Sequence, residues 1–156
     1  KPWFKDTVFV ITGDHCANSA GKTELPVRNY HIPLFIYSPA HLKPAVVETL
    51  SAQADLAPTI IGLMNASYES RFFGRDVLNG KPEGRAFLST FQKIGLLKDG
   101  RLAVLGPKKY LKTYKWDEAA KTVEPAPEDR TFEEEAVAWY QGANYVYKKR
   151  LNRLPK

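Results

Sequence analysis

Asp14 and His15 are an adjacent pair of side chains that could bind a divalent cation. A carboxylate and a neutral imidazole both suit an ion such as Zn²⁺ or Mn²⁺. The pair follows Gly13 and a run of apolar, largely β-branched residues at positions 8–12. We therefore predict a buried parallel strand that ends in a tight bend at Gly13 and presents both ligands at the carboxyl edge of an α/β sheet. The alternative is an aspartate in a local turn bond beside a surface histidine.

Lys22 and His31 are two further side chains that could contact an anionic substrate. Lys22 lies in a loop of small residues, 19–23, that would face the same sheet edge, and an ammonium group suits an anionic oxygen. This loop lacks the spacing of a P-loop. His31 stands just before a second apolar run, and as a ligand it would have to reach the mouth of the site. The alternatives are a solvated loop lysine and a histidine bonded to nearby backbone. A thiol nucleophile at Cys16 would need a positioned base, and the sequence identifies none.

The residues after this pair have the pattern of an α/β unit. A loop is predicted over residues 13–28, a second buried strand over 32–37, and a short third strand over 46–49. A helix is predicted to begin with Asp55 as its N-cap and to end at Asn65, because apolar side chains recur on one face between them.

The second half of the chain has an antiparallel pattern. It follows a predicted loop over residues 71–84. The Asp99-Gly100 dipeptide predicts a hairpin turn, because a type I′ turn needs a positive φ at both central positions. Strands are predicted at residues 86–91, 94–97, 102–105 and 110–116.

A helix is predicted to close the chain. Residues 124–127 read as a short extended linker, and Thr131 with Glu134 forms a capping box that opens a helix running to about Leu151. Its apolar stripe is typical of packing against a core rather than of a ligand site.

Composition bounds the class of protein. The 156 residues can bury one core, and the lone cysteine excludes an internal disulfide framework. No apolar run approaches the roughly 20 residues of a membrane span, and no signal peptide is recognised. The net charge of +6 comes mainly from residues 108–115 and 148–156. Weak attraction to anionic lipid or nucleic acid is one interpretation; we favour a solvated basic surface and expect no nucleic-acid partner.

Five short motifs, taken in order, resemble the C-terminal part of sulfatase-type enzymes of the alkaline phosphatase superfamily. They lie at residues 12–15, 21–22, 30–39, 53–60 and 73–75. The chain is most similar to the lipoteichoic acid synthase-like phosphoglycerol transferases, over residues 7–78. The resemblance implies an α/β, alkaline phosphatase-like fold that contains part of the core sheet, followed by a small antiparallel β-subdomain and a C-terminal helix. We place the division between residues 1–84 and 85–156.

The resemblance also assigns roles. It implies that Asp14 and His15 bind a divalent metal ion (Mn, Zn, Mg or Ca), that Lys22 contacts the transferred anionic group, and that Asp55 is a structural cap. Cys16 stands where the family usually has a glycine. The family's nucleophile lies upstream, so no catalytic nucleophile is expected in this chain, and the chain alone is expected to be inactive.

The function implied is transfer or hydrolysis of phosphate or sulfate esters, with a phosphoglycerol transferase as the first choice. The alternatives are a sulfatase proper and a non-catalytic basic binding module. The expected partners are the remaining N-terminal part of the catalytic domain and an anionic phospholipid or a sulfate or phosphate ester substrate. The expected location is outside the cytoplasm, on the periplasmic face of the inner membrane or the cell surface, with N-terminal membrane helices as the anchor.

Overall fold

Two antiparallel sheets and two α-helices form the fold, which a computed structural model describes at residues 1–16, 25–80 and 82–153. In chain order the elements are β1 (Phe9–Thr12), β2 (Leu34–Tyr37), α1 (Leu56–Leu63), β3 (Arg85–Ser89), β4 (Ile94–Lys98), β5 (Arg101–Gly106), β6 (Tyr110–Asp117), β7 (Thr122–Pro125) and α2 (Arg130–Lys148). Strands β1 and β2 form a two-stranded sheet, and β3 to β7 form a five-stranded meander in sequence order.

Strand β1 is antiparallel, with Phe9 and Val10 half-buried and Ile11 and Thr12 exposed, so the prediction of a buried parallel strand is wrong on both counts. It pairs with β2 in a register that places Phe9 opposite Tyr37. The regular element between them, within the described residues, is the 3₁₀ turn Val27–Tyr30. A parallel pair needs a crossover, usually through an α-helix, so a chain that simply turns back pairs antiparallel. Ile11 is 60% exposed and Phe35 is 62% exposed, because no second layer covers these strands in the described part of the chain.

Residues 46–49 form no strand, and this prediction is also wrong. Val46 and Val47 are both exposed. β-branched residues favour strands because they pack on a pleated, half-buried surface, and here no neighbouring strand provides that surface.

Asp55 lies in a 3₁₀ turn, Gln53–Asp55, directly before α1, and its side chain does not cap that helix. Its carboxylate instead accepts hydrogen bonds from the backbone N–H of Ala52 at 2.9 Å and of Arg75 at 2.8 Å. It also forms an ion pair with Arg85 at 3.3 Å, and the two side chains are only 3% and 2% exposed. The predicted cap is therefore a buried charge that ties the loop before β3, and β3 itself, to the start of α1.

Arg85 is enclosed by aromatic and backbone groups. Its Nη2 donates to the carbonyl oxygen of Phe73 at 2.6 Å. The guanidinium carbon lies 5.0 Å from the centre of the Phe87 ring and 4.7 Å from that of Trp139 on α2. Cation–π contacts of this kind are strongest where water is excluded. The predicted division of the chain near residue 84 is therefore bridged by contacts in the folded protein.

The meander confirms the predicted hairpin. Asp99 and Gly100 have φ values of 50° and 68°, as a type I′ turn requires. Residues 124–127, predicted as a linker, contain the end of β7, which pairs with β6 so that Pro125 lies opposite Tyr114. A proline is tolerated there because β7 is an edge strand of the meander.

The core fills both faces of the meander. One face is covered by Leu25 and by Val27, the first residue of the 3₁₀ turn Val27–Tyr30. The opposite face is covered by Phe132 and Ala136 of α2. The sheet is therefore the layer about which this half of the molecule is organised.

Helix α2 is capped by Asp129 rather than by the predicted Thr131. The Asp129 carboxylate accepts a hydrogen bond from the Phe132 N–H at 3.1 Å, and this bond is the main reason that its pKa is lowered. Aspartate and threonine both cap helices, so the pattern alone could not separate the two positions. The helix ends at Lys148.

Replacing Gly74 by alanine is expected to lower the free energy of unfolding by about 2 to 3 kcal/mol. A Cβ atom at Gly74 would lie 1.8 Å from the carbonyl oxygen of Ala54, so the loop would have to move away from Asp55. Gly142→Ala is the matched control: nothing lies within 4 Å of a Cβ there, and alanine should stabilise α2 by about 0.5 to 1 kcal/mol. Urea denaturation measures both changes. Equal effects of the two substitutions would contradict the close approach at Gly74.

The buried Tyr140 hydroxyl is expected to make the protein less stable at alkaline pH. It donates to the carbonyl oxygens of Gly95 and Leu88, at 2.7 and 3.1 Å, and burial raises the pKa of Tyr140 to about 12. Because folding raises this pKa, its contribution is complete below the unfolded value of about 10 and is lost as pH rises through about 12. The wild-type protein should therefore lose about 2 kcal/mol more than Tyr140→Phe across this interval. The prediction would be contradicted if the urea midpoints of the wild type and of Tyr140→Phe fell by the same amount as the pH is raised.

Candidate metal centre

Asp14 and His15 lie just after the end of β1, and the structure brings their side chains together. The distance from Asp14 Oδ1 to His15 Nε2 is 3.6 Å. The two side chains are 91% and 77% exposed, so both polar ends are accessible. The two side chains therefore lie together at the end of a strand, as predicted, although that strand is antiparallel rather than parallel.

The imidazole of His15 is oriented by the backbone. Its Nδ1 lies 2.9 Å from the carbonyl oxygen of Cys16, which can only accept a hydrogen bond. Nδ1 is therefore the protonated nitrogen of the neutral ring, and the lone pair is on Nε2, the atom that faces Asp14. The Cys16 carbonyl, and after it the Asp14 carboxylate, raise the pKa of His15.

Gln53 fixes the backbone that carries the pair. Its Nε2 donates to the carbonyl oxygens of Gly13 at 2.9 Å and of Asp14 at 3.1 Å. The chain bends at Asp14 and His15, directly after Gly13, and Gly13 itself has no left-handed φ. A Cβ there would lie 3.2 Å from the Ile32 side chain, so what the small residue provides is space. Sequence analysis missed the contact of Gln53, because no local pattern indicates which distant backbone a glutamine will contact.

The donor set fits a divalent cation. Two ligand atoms that each lie about 2.0 to 2.2 Å from a tetrahedral ion are about 3.4 Å apart, close to the observed 3.6 Å. A histidine ligand commonly donates its other N–H to a backbone carbonyl, as His15 does to Cys16. Within the described residues, however, no group of three or more His, Cys, Asp or Glu side chains could hold an ion.

The other predicted site residues do not join this pair. Lys22 lies outside the described residues. His31 is exposed and lies near Glu118, whose pKa is lowered by hydrogen bonds from Lys121 and Trp116 and also by the charge of His31. The Cys16 thiol is buried, which does not suit an accessible nucleophile.

The first half of the chain is similar to a known family. Residues 3–66 match the sulfatase family model. The matched segment includes Asp14, His15 and Gln53. The prediction of a sulfatase-type resemblance is confirmed at this level.

The whole chain also superposes on a solved structure, the crystal structure of a protein in the alkaline phosphatase superfamily from Vibrio parahaemolyticus. The TM-score is 0.91 at 24% sequence identity, and the match covers 98% of this chain. The chain has an alkaline phosphatase-like fold. The predicted fold class is thereby confirmed, including the antiparallel β-subdomain and the C-terminal helix. The chain spans 38% of the length of the Vibrio protein.

Proposed function

We propose that this chain supplies part of the metal centre of an enzyme that transfers or hydrolyses phosphate or sulfate esters. The observation that carries the proposal is the convergence of Asp14 Oδ1 and His15 Nε2 to 3.6 Å within the segment that matches the sulfatase family model. A carboxylate and an imidazole that lie this close, both accessible, form half of a four-ligand site.

The described residues would have different roles in binding such an ion. Asp14 and His15 are the ligands, the Cys16 carbonyl orients the imidazole, and Gln53 holds the backbone of the pair. A bound divalent ion (Mn, Zn, Mg or Ca) would neutralise charge on the ester oxygens and make a coordinated nucleophile more reactive.

Substrate contacts are a further part of the proposal. Lys22 would add a positive charge against the anionic group of the substrate. His31 would contact only a part of the substrate remote from the ion, because it does not join Asp14 and His15. No nucleophile is proposed in this chain, and the resemblance places it elsewhere in the intact protein.

Phosphoglycerol transfer, with an anionic phospholipid as donor, is our first choice of reaction, on the order and spacing of the five motifs. A sulfatase proper is the second candidate, and the match of residues 3–66 to the sulfatase family model favours it. A non-catalytic basic module is the third, since the net charge of +6 would suit an anionic ligand without any turnover.

Turnover by the intact protein tests the proposal. We expect chelation to abolish release of the phosphoglycerol group from phosphatidylglycerol, and Mn²⁺ or Zn²⁺ to restore it. Faster turnover of an aryl sulfate than of phosphatidylglycerol would assign a sulfatase instead. A metal-loaded protein that acts on no ester of either kind would support the binding module.

The remaining part of the catalytic domain is the proposed partner of the β1–β2 pair. Both strands are apolar, yet Ile11, Leu34, Phe35 and Tyr37 are exposed. An exposed apolar patch of this kind marks a surface that another layer covers. The 38% coverage of the Vibrio protein supports an origin of that layer in the same fold.

The proposed location is outside the cytoplasm, on the periplasmic face of the inner membrane or at the cell surface, with N-terminal helices as the anchor. This proposal is supported by the resemblance alone. Neither helix of the described ranges has the length and apolar character that a membrane crossing requires. Cell fractionation and protease accessibility of the intact protein test it.

A further inference from the structure

Two hairpin tips lie side by side at one end of the five-stranded sheet. The tip between β3 and β4 comprises residues 90–93, and the tip between β5 and β6 comprises residues 107–109. Ile94, which begins β4, pairs with Leu105 near the end of β5, so the two tips extend from the same end of the sheet. A cavity of about 360 Å³ is lined by residues of the first tip and by Ile94, Leu105 and Gly106.

The first tip presents an aromatic ring to solvent. Phe91 is 97% exposed, the highest value among the large apolar side chains of the described residues. Its turn is held by hydrogen bonds: the Thr90 N–H donates to the Lys93 carbonyl at 2.7 Å, and Thr90 Oγ1 accepts from the N–H groups of Gln92 and Lys93. The exposed ring is therefore carried on a defined turn.

The second tip presents two lysines in a conformation that lysine rarely adopts. Lys108 and Lys109 have φ values of 56° and 62°, and the Tyr110 N–H donates to the Pro107 carbonyl at 3.1 Å. This is the turn for which Asn-Gly is the preferred sequence. The tip thus carries two charges where uncharged residues would fit the backbone better.

The charged residues of these two tips and of the start of β6 are all lysines. Residues 90–93 and 106–112 contain four lysines and no acidic residue. In the described part of the chain, no ion pair joins Lys108, Lys109 or Lys112 to a carboxylate, and Lys112 lies over the Tyr110 ring at 5.7 Å. Cations near the opposite end are paired instead, as Lys98 is with Glu83 and Glu135, and Arg101 with Asp129.

We propose that these two tips dock on an anionic lipid bilayer. We call the four residues Phe91, Lys108, Lys109 and Lys112 the tip surface. An exposed ring flanked by unpaired cations matches the bilayer interface, where aromatic side chains enter the headgroup region and lysines meet lipid phosphates. None of these residues lies in the strand pair that carries Asp14 and His15, so the proposal is independent of the chemistry at that pair.

Vesicle binding by the intact protein is the first test. The vesicles are phosphatidylcholine alone, or the same lipid with about one third phosphatidylglycerol. We expect preferential binding to the anionic vesicles that weakens as salt is added. Lys108→Asn combined with Lys109→Gly should weaken this binding about 25-fold, at about fivefold per lysine. The same double substitution gives the turn its preferred residues, so the protein should be at least as stable as the wild type.

The matched control removes two charges elsewhere. Lys43→Gln combined with Lys115→Gln gives the same net charge, and it should leave the vesicle affinity within about twofold of the wild type. Equal weakening by both double variants would overturn the tip surface in favour of net charge alone. Unchanged binding after substitution of Lys108 and Lys109 would also overturn it.

A second test places the ring. In the Phe91→Trp variant, the fluorescence of the introduced indole should be quenched by phosphatidylglycerol that is brominated on its acyl chains. Phe91→Ala should weaken binding to anionic vesicles about tenfold. The absence of that quenching would overturn insertion at this tip. Binding of an oligonucleotide as tight as that of the vesicles, and equally sensitive to Lys108 and Lys109, would overturn the choice of a membrane and assign a polyanion site.

Discussion

Asp55→Ala is expected to lower the free energy of unfolding by about 3 to 5 kcal/mol. The substitution leaves the guanidinium of Arg85 buried without its counter-charge, since both side chains are almost fully enclosed. It also removes the acceptor for the backbone N–H groups of Ala52 and Arg75. Breaking one partner of a buried pair is costly because the desolvated charge remains. Urea denaturation of the intact protein, followed by circular dichroism, measures the loss.

Two variants make this prediction specific. Glu134→Ala removes a carboxylate that pairs with Arg130 on the exposed surface of α2, and it should cost less than about 0.5 kcal/mol. Asp55→Leu with Arg85→Met removes both buried charges, and it should recover part of the loss, although not the bonds from Ala52 and Arg75. A loss of less than about 1 kcal/mol on Asp55→Ala would contradict the assigned role.

Asp14→Ala and His15→Ala are each expected to weaken metal binding by more than about a hundredfold, because loss of a residue that only supports a ligand already costs about 10- to 100-fold. Ester turnover by the intact protein should fall with metal occupancy. Titration calorimetry with Mn²⁺ or Zn²⁺ measures the affinity, and circular dichroism checks that the exposed substitutions leave the fold intact.

Two further variants should have an intermediate effect and no effect on metal binding. Gln53→Ala should weaken binding about tenfold, since it removes the two bonds that hold the backbone of Gly13 and Asp14. His41→Ala removes an exposed histidine that follows β2, at the opposite end of the strand pair from Asp14, and should change nothing. Unchanged affinity in both Asp14→Ala and His15→Ala would favour the non-catalytic binding module.

Local signals predicted the local structure of the second half. The Asp99-Gly100 turn, the order of strands β3 to β6 and the existence of α2 follow from turn chemistry and periodicity between neighbours in sequence. The direction and burial of β1 could not be predicted in this way. Its apolar pattern indicates an apolar environment, but which strand pairs with it, and in which direction, depends on where the chain returns.

The candidate site shows the same contrast. Asp14 and His15 are adjacent, so the sequence placed them together without any knowledge of the fold. Gln53 reaches Asp14 only through tertiary structure, and the Asp55–Arg85 pair joins residues on separate elements. No spacing rule connects such residues, because the side chain that hydrogen-bonds to a given backbone or charged group depends on the tertiary fold and not on its distance in sequence.

The Asp55–Arg85 pair also bears on how the molecule opens. One charge precedes α1 and the other begins β3, so neither half of the chain can shield its own charge in the other's absence. Separating the halves would break this ion pair together with the hydrogen bonds that Asp55 accepts from Ala52 and Arg75, so we expect the two elements to open as one unit. In hydrogen–deuterium exchange, the amides of α1 and β3 should become labelled in step, whereas those of the uncovered β1–β2 ribbon should become labelled earlier.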